Sequence, residues 1–494
     1  MYYLGIDVGT SGCKALVTDI DGRMISSSGR NYALRHPAPG WMELDAEEVL
    51  TAVLDCIGEC CRGGVGSRVS ALAVSTQGEA VIPVDWAGHA LDHAIVTFDI
   101  RNANECRWLA ETADKADIMR KTGAPLHPMF SLTKILWHKR QNPAVFDAAW
   151  KFLCFGDFIA FRLGAEACID YTMAARTMAF DIHTMKWSTR LLELCEIPVS
   201  KMPDAVPPGT VIGRVSADAA KATGLTMGTA IVAGGHDQAC CALGAGVTDS
   251  GVAMDSLGTT ESILCVYDRA VSNQFIQENN IPCCPYVLPD KYAYLAFLSC
   301  CGSVVEWCRS QLLGNRLSLR ELDAAAAQAG RPTGLFWMPH FAGSGTPHLD
   351  FNSTGVITGL TLRTTHADLF RAALEGTAYE MRLNIDVLER CGISVNQYRC
   401  IGGGSKSDVW MQIKADVCGK PLTTMHVGEA GGYGAAMLAA CGVHNETDAA
   451  ALARLWAREG RTFEPRSAVH EQYTELFESY RRVYALSSAV QRQK

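Results

Sequence analysis

A hairpin rich in glycine and hydroxyl residues occurs twice in this chain, and it constrains the fold more than any other feature. Near the N-terminus an apolar segment enters Asp7 and the turn at residues 9–12, and a second apolar segment leaves it. Residues 251–268 repeat this pattern around Gly258-Thr259-Thr260. Such turns let a backbone approach a ligand and aim N–H and hydroxyl donors at phosphate. Two of them half a chain apart predict two similar domains facing one nucleotide.

The first hairpin has the residues that nucleotide chemistry requires. Asp7 at the end of the first strand could hold a hydrated magnesium ion against phosphate oxygens. The hydroxyls of Thr10 and Ser11 would lie in the turn beside it. Plain hairpin chemistry explains the first turn equally well, and two unrelated hairpins would explain the pair, so the other motifs must decide.

Length and charge limit the possible classes of protein. A chain of 494 residues suits two domains, and 48% apolar with 19% charged residues is an ordinary globular mixture. The net charge is −8 and no run of Lys or Arg exceeds two, so we expect no nucleic-acid and no membrane partner. No apolar run reaches the length of a membrane span, and the chain starts directly with a strand. We therefore predict a cytoplasmic protein.

The 20 cysteines are arranged in a way that argues against disulfides and zinc. Four pairs are adjacent in sequence and no CxxC motif occurs. Adjacent cysteines rarely bond to each other, and their spacing does not match zinc ligation. Most lie in apolar runs, so we interpret them as small buried hydrophobic residues in a reducing compartment.

The apolar patterns predict an α/β protein. The predicted inner strands cover residues 69–74, 81–84 and 231–233. The predicted helices cover residues 131–139, 157–163, 302–313, 319–329, 367–391 and 407–418. A further helix at 431–441 is made of small residues and suits close packing. The Gly-Ala-Gly sequence at 244–246 is a plausible hinge, which divides the chain into domains 1–245 and 246–494.

Two more glycine motifs lie at strand ends. Gly402-Gly403-Gly404-Ser405 follows a short strand and precedes a helix, where a nucleoside or phosphate could bind or where an ordinary turn would suffice. In Gly234-Gly235-His236-Asp237-Gln238, Asp237 could cap the next helix. It could also accept the proton of a substrate hydroxyl that attacks phosphorus, and the two roles are compatible. We interpret His236 as structural.

Together these motifs resemble the FGGY family of carbohydrate kinases, in the actin–hexokinase superfamily. Residues 129–137 (MFSLTKILW) are similar to the first family signature, and residues 355–360, 368–369 and 372–375 to the second. The resemblance covers nearly the whole chain. It implies an α/β fold of two ribonuclease H-like (actin–hexokinase-type) domains, 1–245 binding the sugar and 246–494 the nucleotide, with ATP and sugar in the cleft between them.

The resemblance also implies a role for each matching residue. Asp7 would help to hold Mg2+, and Asp237 would be the catalytic base. The residues implied near ATP are Thr10, Ser11, Lys14, Gly258, Thr259, Thr260, Gly403, Gly404, Ser405 and Asp408. Many relatives have Ala and Asn at the last two of these positions, so contacts with adenosine can differ there.

The acceptor is predicted from residues 77–79, which correspond to positions that bind the sugar in relatives. Glycerol kinases have arginine at the position of Gly78 and then a glutamate like Glu79, whereas xylulokinases have methionine and histidine. Gln238 resembles the glutamine of glycerol kinases. We expect Gly78 to leave empty volume and the acceptor to be longer than glycerol: a ketopentose such as xylulose, or a four-to-six-carbon polyol.

Asp99 completes the predicted substrate set but has a second interpretation. With Arg101 it matches a D-x-R of xylulokinases, and the pair either frames the sugar or is a structural ion pair. The predicted substrate-binding residues are Gln77, Gly78, Glu79, Asp99, Asp237 and Gln238.

Two alternatives from other classes remain at this point. One is an ATPase activator with an iron–sulfur cluster between subunits; the cysteine spacing and the presence of Asp237 argue against it. The other is a non-catalytic sugar-binding regulator. The intact Asp7, Asp237 and both hairpins argue against it.

The family resemblance also predicts a homodimer.

Overall fold

The computed structural model describes residues 1–444 and 448–491, which form two large β-sheets and the helices around them. In the first half the strands are β1 (Tyr2–Val8), β2 (Gly12–Asp19), β3 (Met24–Asn31), β4 (Glu43–Leu44), β5 (Val69–Thr76), β6 (Ile82–Val84), β7 (Ala94–Ile95), β8 (Lys151–Leu153), β9 (Cys168–Asp170), β10 (Phe180–Asp181), β11 (Lys186–Trp187), β12 (Asp204–Val206), β13 (Val211–Arg214) and β14 (Ala230–His236). The α-helices there are α1 (Ala46–Cys60), α2 (Ala103–Thr112), α3 (Lys115–Thr122), α4 (Ser131–Gln141), α5 (Pro143–Ala148), α6 (Phe155–Leu163), α7 (Tyr171–Ala175), α8 (Thr189–Leu194), α9 (Ala217–Thr223) and α10 (Asp237–Gly244).

The second half of the chain has fewer strands and longer helices. Its strands are β15 (Val252–Leu257), β16 (Glu261–Tyr267), β17 (Cys283–Pro285), β18 (Tyr292–Leu298), β19 (Phe336–Met338), β20 (Val356–Thr358), β21 (Gln397–Ile401), β22 (Leu422–Met425) and β23 (Glu459–Phe463). Its α-helices are α11 (Gln274–Glu278), α12 (Gly302–Trp307), α13 (Leu319–Ala329), α14 (His366–Arg390), α15 (Asp408–Cys418), α16 (Ala430–Val443), α17 (Ala449–Trp456) and α18 (Ser467–Gln491).

The first sheet brings three strand ends to one edge. Its order is β13-β14-β5-β1-β2-β3, and β5 runs parallel to both β1 and β14. Asp7 pairs with Ser75, and His236 pairs with Thr76. Because carboxyl ends of parallel strands meet at the same edge, the first glycine hairpin, the segment after Thr76 and Asp237 all lie at this edge.

The second sheet repeats the arrangement of the first. In its order β17-β18-β16-β15-β21-β22-β23, β15 pairs antiparallel with β16 and parallel with β21. The two glycine hairpins therefore connect equivalent strands, β1 to β2 and β15 to β16. This confirms the predicted α/β fold with two similar halves. The boundary between residues 245 and 246 stays a prediction.

The predicted elements are present with small shifts at their ends. The strand predicted at 69–74 is β5, and the helix predicted at 367–391 is α14. The helix predicted at 302–313 begins as α12 and ends in a wider turn, Cys308–Leu312. Within the described ranges, no helix has the length and apolar character that a membrane crossing requires.

Helix α16 crosses the first half of the chain at backbone contact. A Cβ on Gly434 would lie 2.0 Å from the carbonyl oxygen of Cys240 on α10, and one on Gly5 would lie 1.9 Å from that of Gly432. Only glycine allows such an approach, which confirms the close packing predicted for this small-residue helix. A helix from the second half of the chain thus packs directly on β1 and α10 of the first.

The second half buries a compact group of charges. Lys414 on α15 lies with its Nζ 2.5 Å from Oε1 of Glu261 and 3.3 Å from Oδ2 of Asp255, and all three side chains are fully buried. Such a group is stable only while its charges remain paired.

The cysteines are reduced and mostly buried. All 20 are free thiols, and 17 of them are buried, which confirms their interpretation as small core residues.

Candidate active site

Hydrogen bonds fix the shape of the first glycine hairpin. The N–H of Gly9 donates to the carbonyl of Gly12 (2.9 Å), and the Tyr32 hydroxyl donates to the carbonyl of Gly9 (2.6 Å). Gln77 braces the turn: its Nε2 donates to the same carbonyl (3.0 Å), and its Oε1 accepts from the Thr10 hydroxyl (3.1 Å). Gln77 therefore supports the predicted phosphate turn, and its predicted contact with the sugar stays a prediction.

The carboxylate of Asp7 is buried beside this hairpin. It accepts a hydrogen bond from the Ser75 hydroxyl (2.6 Å), and a Cβ on Gly431 of α16 would lie 2.7 Å from its Oδ1. Burial raises the pKa of Asp7, so its ionised form needs a nearby cation. Among residues 1–444 and 448–491, no group of three or more His, Cys, Asp or Glu side chains could hold a metal ion. One carboxylate fits magnesium, which is usually held by few protein ligands together with phosphates and water.

Lys14 reaches across to the second half of the chain. Its Nζ lies 2.9 Å from the carboxylate of Glu429, in the loop before α16. The sequence pattern predicted Lys14 near phosphate but gave no signal for Glu429, because this contact joins opposite ends of the chain.

Asp237 is the first residue of α10, at the edge of the first sheet. Its Oδ1 accepts the N–H of Gln238 (2.6 Å), and 27% of its side chain is exposed. Burial and the negative charge of Asp7 raise its pKa to about 7. A carboxylate that titrates near neutrality suits a general base.

Gln238 carries an unpaired acceptor beside this base. Its Oε1 is buried and has no hydrogen-bond partner within the described part of the chain. Buried acceptors are usually paired, so this atom is available to a substrate hydroxyl.

Glu79 is held in a strained and fully bonded position. Its φ is +63°, in the left-handed region that costs a non-glycine residue energy and that recurs at functional sites. Its Oε2 accepts from the Thr97 hydroxyl (2.9 Å), and its Oε1 accepts from Nε and Nη2 of Arg176. The buried Lys134 donates to its main-chain carbonyl (2.9 Å). Burial lowers the pKa of Lys134 to about 8.

Sequence reasoning missed both cations around Glu79. Lys134 lies in the segment that resembles the first family signature, but the sequence did not indicate that it contacts Glu79. Arg176 follows the short helix α7, and nothing in its local pattern predicts a partner almost a hundred residues earlier.

The expectation of empty volume beside Gly78 is wrong. A Cβ there would lie 2.8 Å from Nε2 of His236 and 3.6 Å from Nε of Arg176. The space is filled because β14 pairs with β5, which brings the His236 imidazole against Gly78, two residues beyond the end of β5. The absence of a side chain at Gly78 therefore gives no evidence for an acceptor longer than glycerol.

Asp99 forms the structural ion pair that was one of its two interpretations. It is buried, its carboxylate accepts from Nε of Arg101 (2.9 and 3.0 Å), and its Oδ2 accepts the N–H of Met42 (2.6 Å). Arg101 also donates to Glu43 (2.8 Å) and lies over the Trp41 ring. A contact between Asp99 and substrate stays a prediction.

The second hairpin is braced by the start of α12. The N–H of Gly258 donates to the carbonyl of Thr260 (2.9 Å), and the carbonyls of Gly258 and Thr259 accept from Gly302 and Cys301 (both 2.9 Å). A Cβ on Gly302 would lie 2.6 Å from the Gly258 carbonyl oxygen, so this position requires glycine. The sequence analysis did not single out Gly302.

The third glycine loop is open on one side. Nothing lies within 4 Å of a Cβ on Gly403, whereas one on Gly404 would lie 2.9 Å from the Trp410 ring. The Ser405 hydroxyl donates to the carbonyl of Gly402 (2.8 Å), and the exposed Asp408 pairs with Arg461 (2.5 Å). The loop is therefore open beside the Cα of Gly403, whose carbonyl accepts the N–H of Lys406 (3.3 Å).

A separate cavity lies away from these groups. It has a volume of about 230 Å3 and lies between α14 and α18, with Glu380 and Arg390 in its lining. None of the predicted site residues lines it.

Models of one protein family match most of the chain. The model described as the N-terminal domain of the FGGY family of carbohydrate kinases matches residues 2–244. The model of the C-terminal domain of the same family matches residues 253–443.

Individual proteins are similar over nearly the full length. A xylulose kinase of Escherichia coli (strain K12) is 30% identical over 484 residues, covering 98% of this chain and 98% of that protein. A glycerol kinase of Geobacter sp. (strain M21) is 31% identical over 477 residues, covering 94% of each. The solved structure of a xylulose kinase from Rhodospirillum rubrum superposes with a TM-score of 0.92, at 28% identity, and covers 100% of both chains.

Proposed function

This chain belongs to the FGGY family of carbohydrate kinases, and we propose that it transfers the γ-phosphoryl group of ATP to a hydroxyl of a ketopentose such as xylulose. It is a sugar kinase, and the identity of the sugar is the proposal. The full-length similarity to proteins named xylulose kinase supports it. The observation that supports the chemistry is that Asp237 lies at the sheet edge where the first glycine hairpin also lies.

Asp237 would act as the general base. The acceptor hydroxyl would give its proton to Asp237 as its oxygen attacks the γ-phosphorus, and the bond between that phosphorus and the β–γ bridging oxygen would break. No covalent enzyme intermediate is required, because positioning and charge neutralisation supply most of the rate acceleration. The unpaired Gln238 Oε1 would accept a hydrogen bond from another hydroxyl of the same substrate.

The nucleotide would lie between the glycine loops. Thr10, Ser11 and the turn of Gly258, Thr259 and Thr260 would donate to the phosphates, and Lys14 would approach the transferred group.

The third loop would border the adenosine. Gly403, Gly404, Ser405 and Asp408 are the residues proposed there, and the open flank at Gly403 supports this.

Asp7 would hold Mg2+ with the ATP phosphates. The ion neutralises phosphate charge when it is bound, and the buried carboxylate of Asp7 suits a cation at this position.

A polyol of four to six carbons is the second candidate acceptor. Glu79 and Gln238 are the pair that resembles glycerol kinases, and a named glycerol kinase is 31% identical to this chain. The bonding of both Glu79 oxygens to Thr97 and Arg176 weakens this candidate, because it leaves the carboxylate less free for a polyol.

Assembly and location stay predictions. We propose a homodimer, which light scattering of the purified protein would test, and a cytoplasmic location, which fractionation of the source cells would test.

ADP release across a panel of ketopentoses, tetritols, pentitols, hexitols and glycerol tests the function. We expect strong turnover with one acceptor, with D-xylulose supporting the ketopentose and a polyol supporting the second candidate. Asp237→Asn is the control for contaminating kinases. ADP release that no acceptor stimulates would contradict the proposal.

A further inference from the structure

The His236 imidazole is the least explained polar group at the proposed acceptor site. Its main-chain N–H donates to the Thr172 hydroxyl (2.7 Å), which fixes the backbone. The side chain is only 7% exposed, and the described residues provide no hydrogen bond to its ring. Its nearest ionisable partner is the Asp237 carboxylate, 3.4 Å from Nε2. The imidazole thus lies beside the proposed base, and its only partner there is the Asp237 carboxylate, so a ring nitrogen can also bind a substrate hydroxyl.

Gly78 makes room for this ring. It does not have a left-handed φ, so the structure uses its lack of a side chain rather than its backbone freedom. A Cβ at Gly78 would lie 2.8 Å from Nε2 and 2.9 Å from Cδ2 of His236, closer than real Cβ atoms approach. Any larger residue at 78 would therefore displace the imidazole.

The ring is held neutral. Burial and the nearby Arg176 guanidinium lower the pKa of His236 well below its usual value. Arg176 itself is anchored to Glu79 and lies over the Phe130 ring. A neutral imidazole can either donate to or accept from an uncharged hydroxyl, whereas an imidazolium would bind the Asp237 carboxylate and remove the base.

From this geometry we propose that His236 is a specificity-determining residue that binds the acceptor hydroxyl adjacent to the one that is phosphorylated. This rests on the proposed function. Nε2 of His236 and Oδ1 of Asp237 are 3.4 Å apart, which suits the two oxygens of a vicinal diol. Asp237 takes the proton of the reacting hydroxyl, and His236 makes a hydrogen bond to its neighbour. The acceptor class is therefore a carbohydrate or polyol with a vicinal diol at its phosphorylated end.

The proposal is tested by measuring two substrates with the wild type and with His236→Ala, and His236→Asn serves as a further comparison. The substrates are the best acceptor of the panel and its analogue lacking the hydroxyl next to the phosphorylated carbon. For the wild type, we expect kcat/KM to fall roughly tenfold or more on removal of that hydroxyl, because a hydrogen bond to the site is lost. For His236→Ala, we expect both substrates to be used at nearly the same reduced rate. His236→Asn, which keeps a donor, should recover part of the discrimination.

The controls separate folding from recognition. His340→Gln changes another buried histidine, far along the chain, and should leave the discrimination intact. Gly78→Ala should reproduce the loss seen in His236→Ala, with the KM for ATP unchanged. If the wild type is active and His236→Ala still prefers the full acceptor over its analogue by the same factor, the role of His236 is overturned. The proposed function would stand in that case. A wild type that phosphorylates no acceptor would overturn the proposed function and this inference with it.

Discussion

Nζ of Lys14, on the strand that leaves the first glycine hairpin, lies 2.9 Å from the carboxylate of Glu429, in the loop that enters α16. The pair connects the first glycine hairpin to α16, the helix that packs on β1 and α10. The Lys14 side chain is 57% exposed and that of Glu429 is 30% exposed, so the ion pair contributes little to the free energy of unfolding. We expect its main effect to be on the charge around the proposed active site.

Lys14→Gln should therefore damage catalysis much more than folding. We expect kcat to fall by roughly tenfold to a hundredfold, because the cation proposed to lie beside the transferred phosphate is lost. The free energy of unfolding should change by less than about 1 kcal/mol. Lys291→Gln, which breaks a comparable exposed pair with Asp268, is the matched control and should retain full activity. A fully active Lys14→Gln enzyme would remove Lys14 from the site.

Asp237→Asn should lower kcat by about two to four orders of magnitude, the usual contribution of a general base, while sugar binding measured by calorimetry survives.

The Asp237→Asn variant should also be more stable than the wild type at pH 8. The pKa of Asp237 is raised from 3.8 to about 7, so the native state binds this proton more tightly than the unfolded state. The resulting stability is complete below pH 3.8 and is lost as the pH rises through 7. The gain from Asn should thus shrink on acidification, although water at the partly exposed carboxylate reduces its size. Turnover close to that of the wild type would leave Asp237 as a helix cap only.

The pH dependence of kcat/KM should report the same group. Asp237 must be ionised to accept a proton, so we expect kcat/KM to fall tenfold for each pH unit below about 7. Burial lowers the pKa of His236 well below its usual value, so we assign the fall near pH 7 to Asp237. His236→Asn should therefore keep the acidic limb of the profile. A flat profile from pH 8 to pH 5 would contradict this prediction.

Local patterns predicted much of the fold. The glycine hairpins, the strand β5, the helix α14 and the small-residue helix α16 are all visible as spacing within short windows. The two-sheet architecture followed from the repetition of one hairpin, because equivalent strands produce equivalent turns.

Long-range contacts explain what the sequence did not reveal. Arg176 pairs with Glu79, and Glu429 with Lys14, across separations at which residue spacing carries no information. The volume beside Gly78 was misjudged for the same reason: its neighbour His236 belongs to a strand more than 150 residues later.

Gly403→Ala should separate nucleotide binding from folding. A Cβ at Gly403 meets nothing within 4 Å and its φ is −65°, so the substitution fits the free protein. If the open flank binds nucleotide, the methyl group should displace one contact, costing about 1 kcal/mol and raising the KM for ATP roughly fivefold. Gly58→Ala on α1, where the nearest atom would lie 3.6 Å away, is the control and should leave this KM unchanged. An unchanged KM in Gly403→Ala would move the adenosine away from this loop.

Lys414→Met should destabilise the second half of the chain severely. It leaves Glu261 and Asp255 as uncompensated buried carboxylates, and breaking such a group typically costs about 3–5 kcal/mol. Lys420→Met, which breaks the exposed pair with Glu389, should cost less than about 1 kcal/mol. Urea unfolding followed by tryptophan fluorescence would measure both.

A compensating substitution shows whether charge is the cause. Adding Glu261→Gln to Lys414→Met removes one unpaired carboxylate and should recover part of the lost stability. If the double variant is no more stable than Lys414→Met, the loss arises from packing around the lysine stem. The buried charges would then be incidental to the support that α15 gives to the second glycine hairpin.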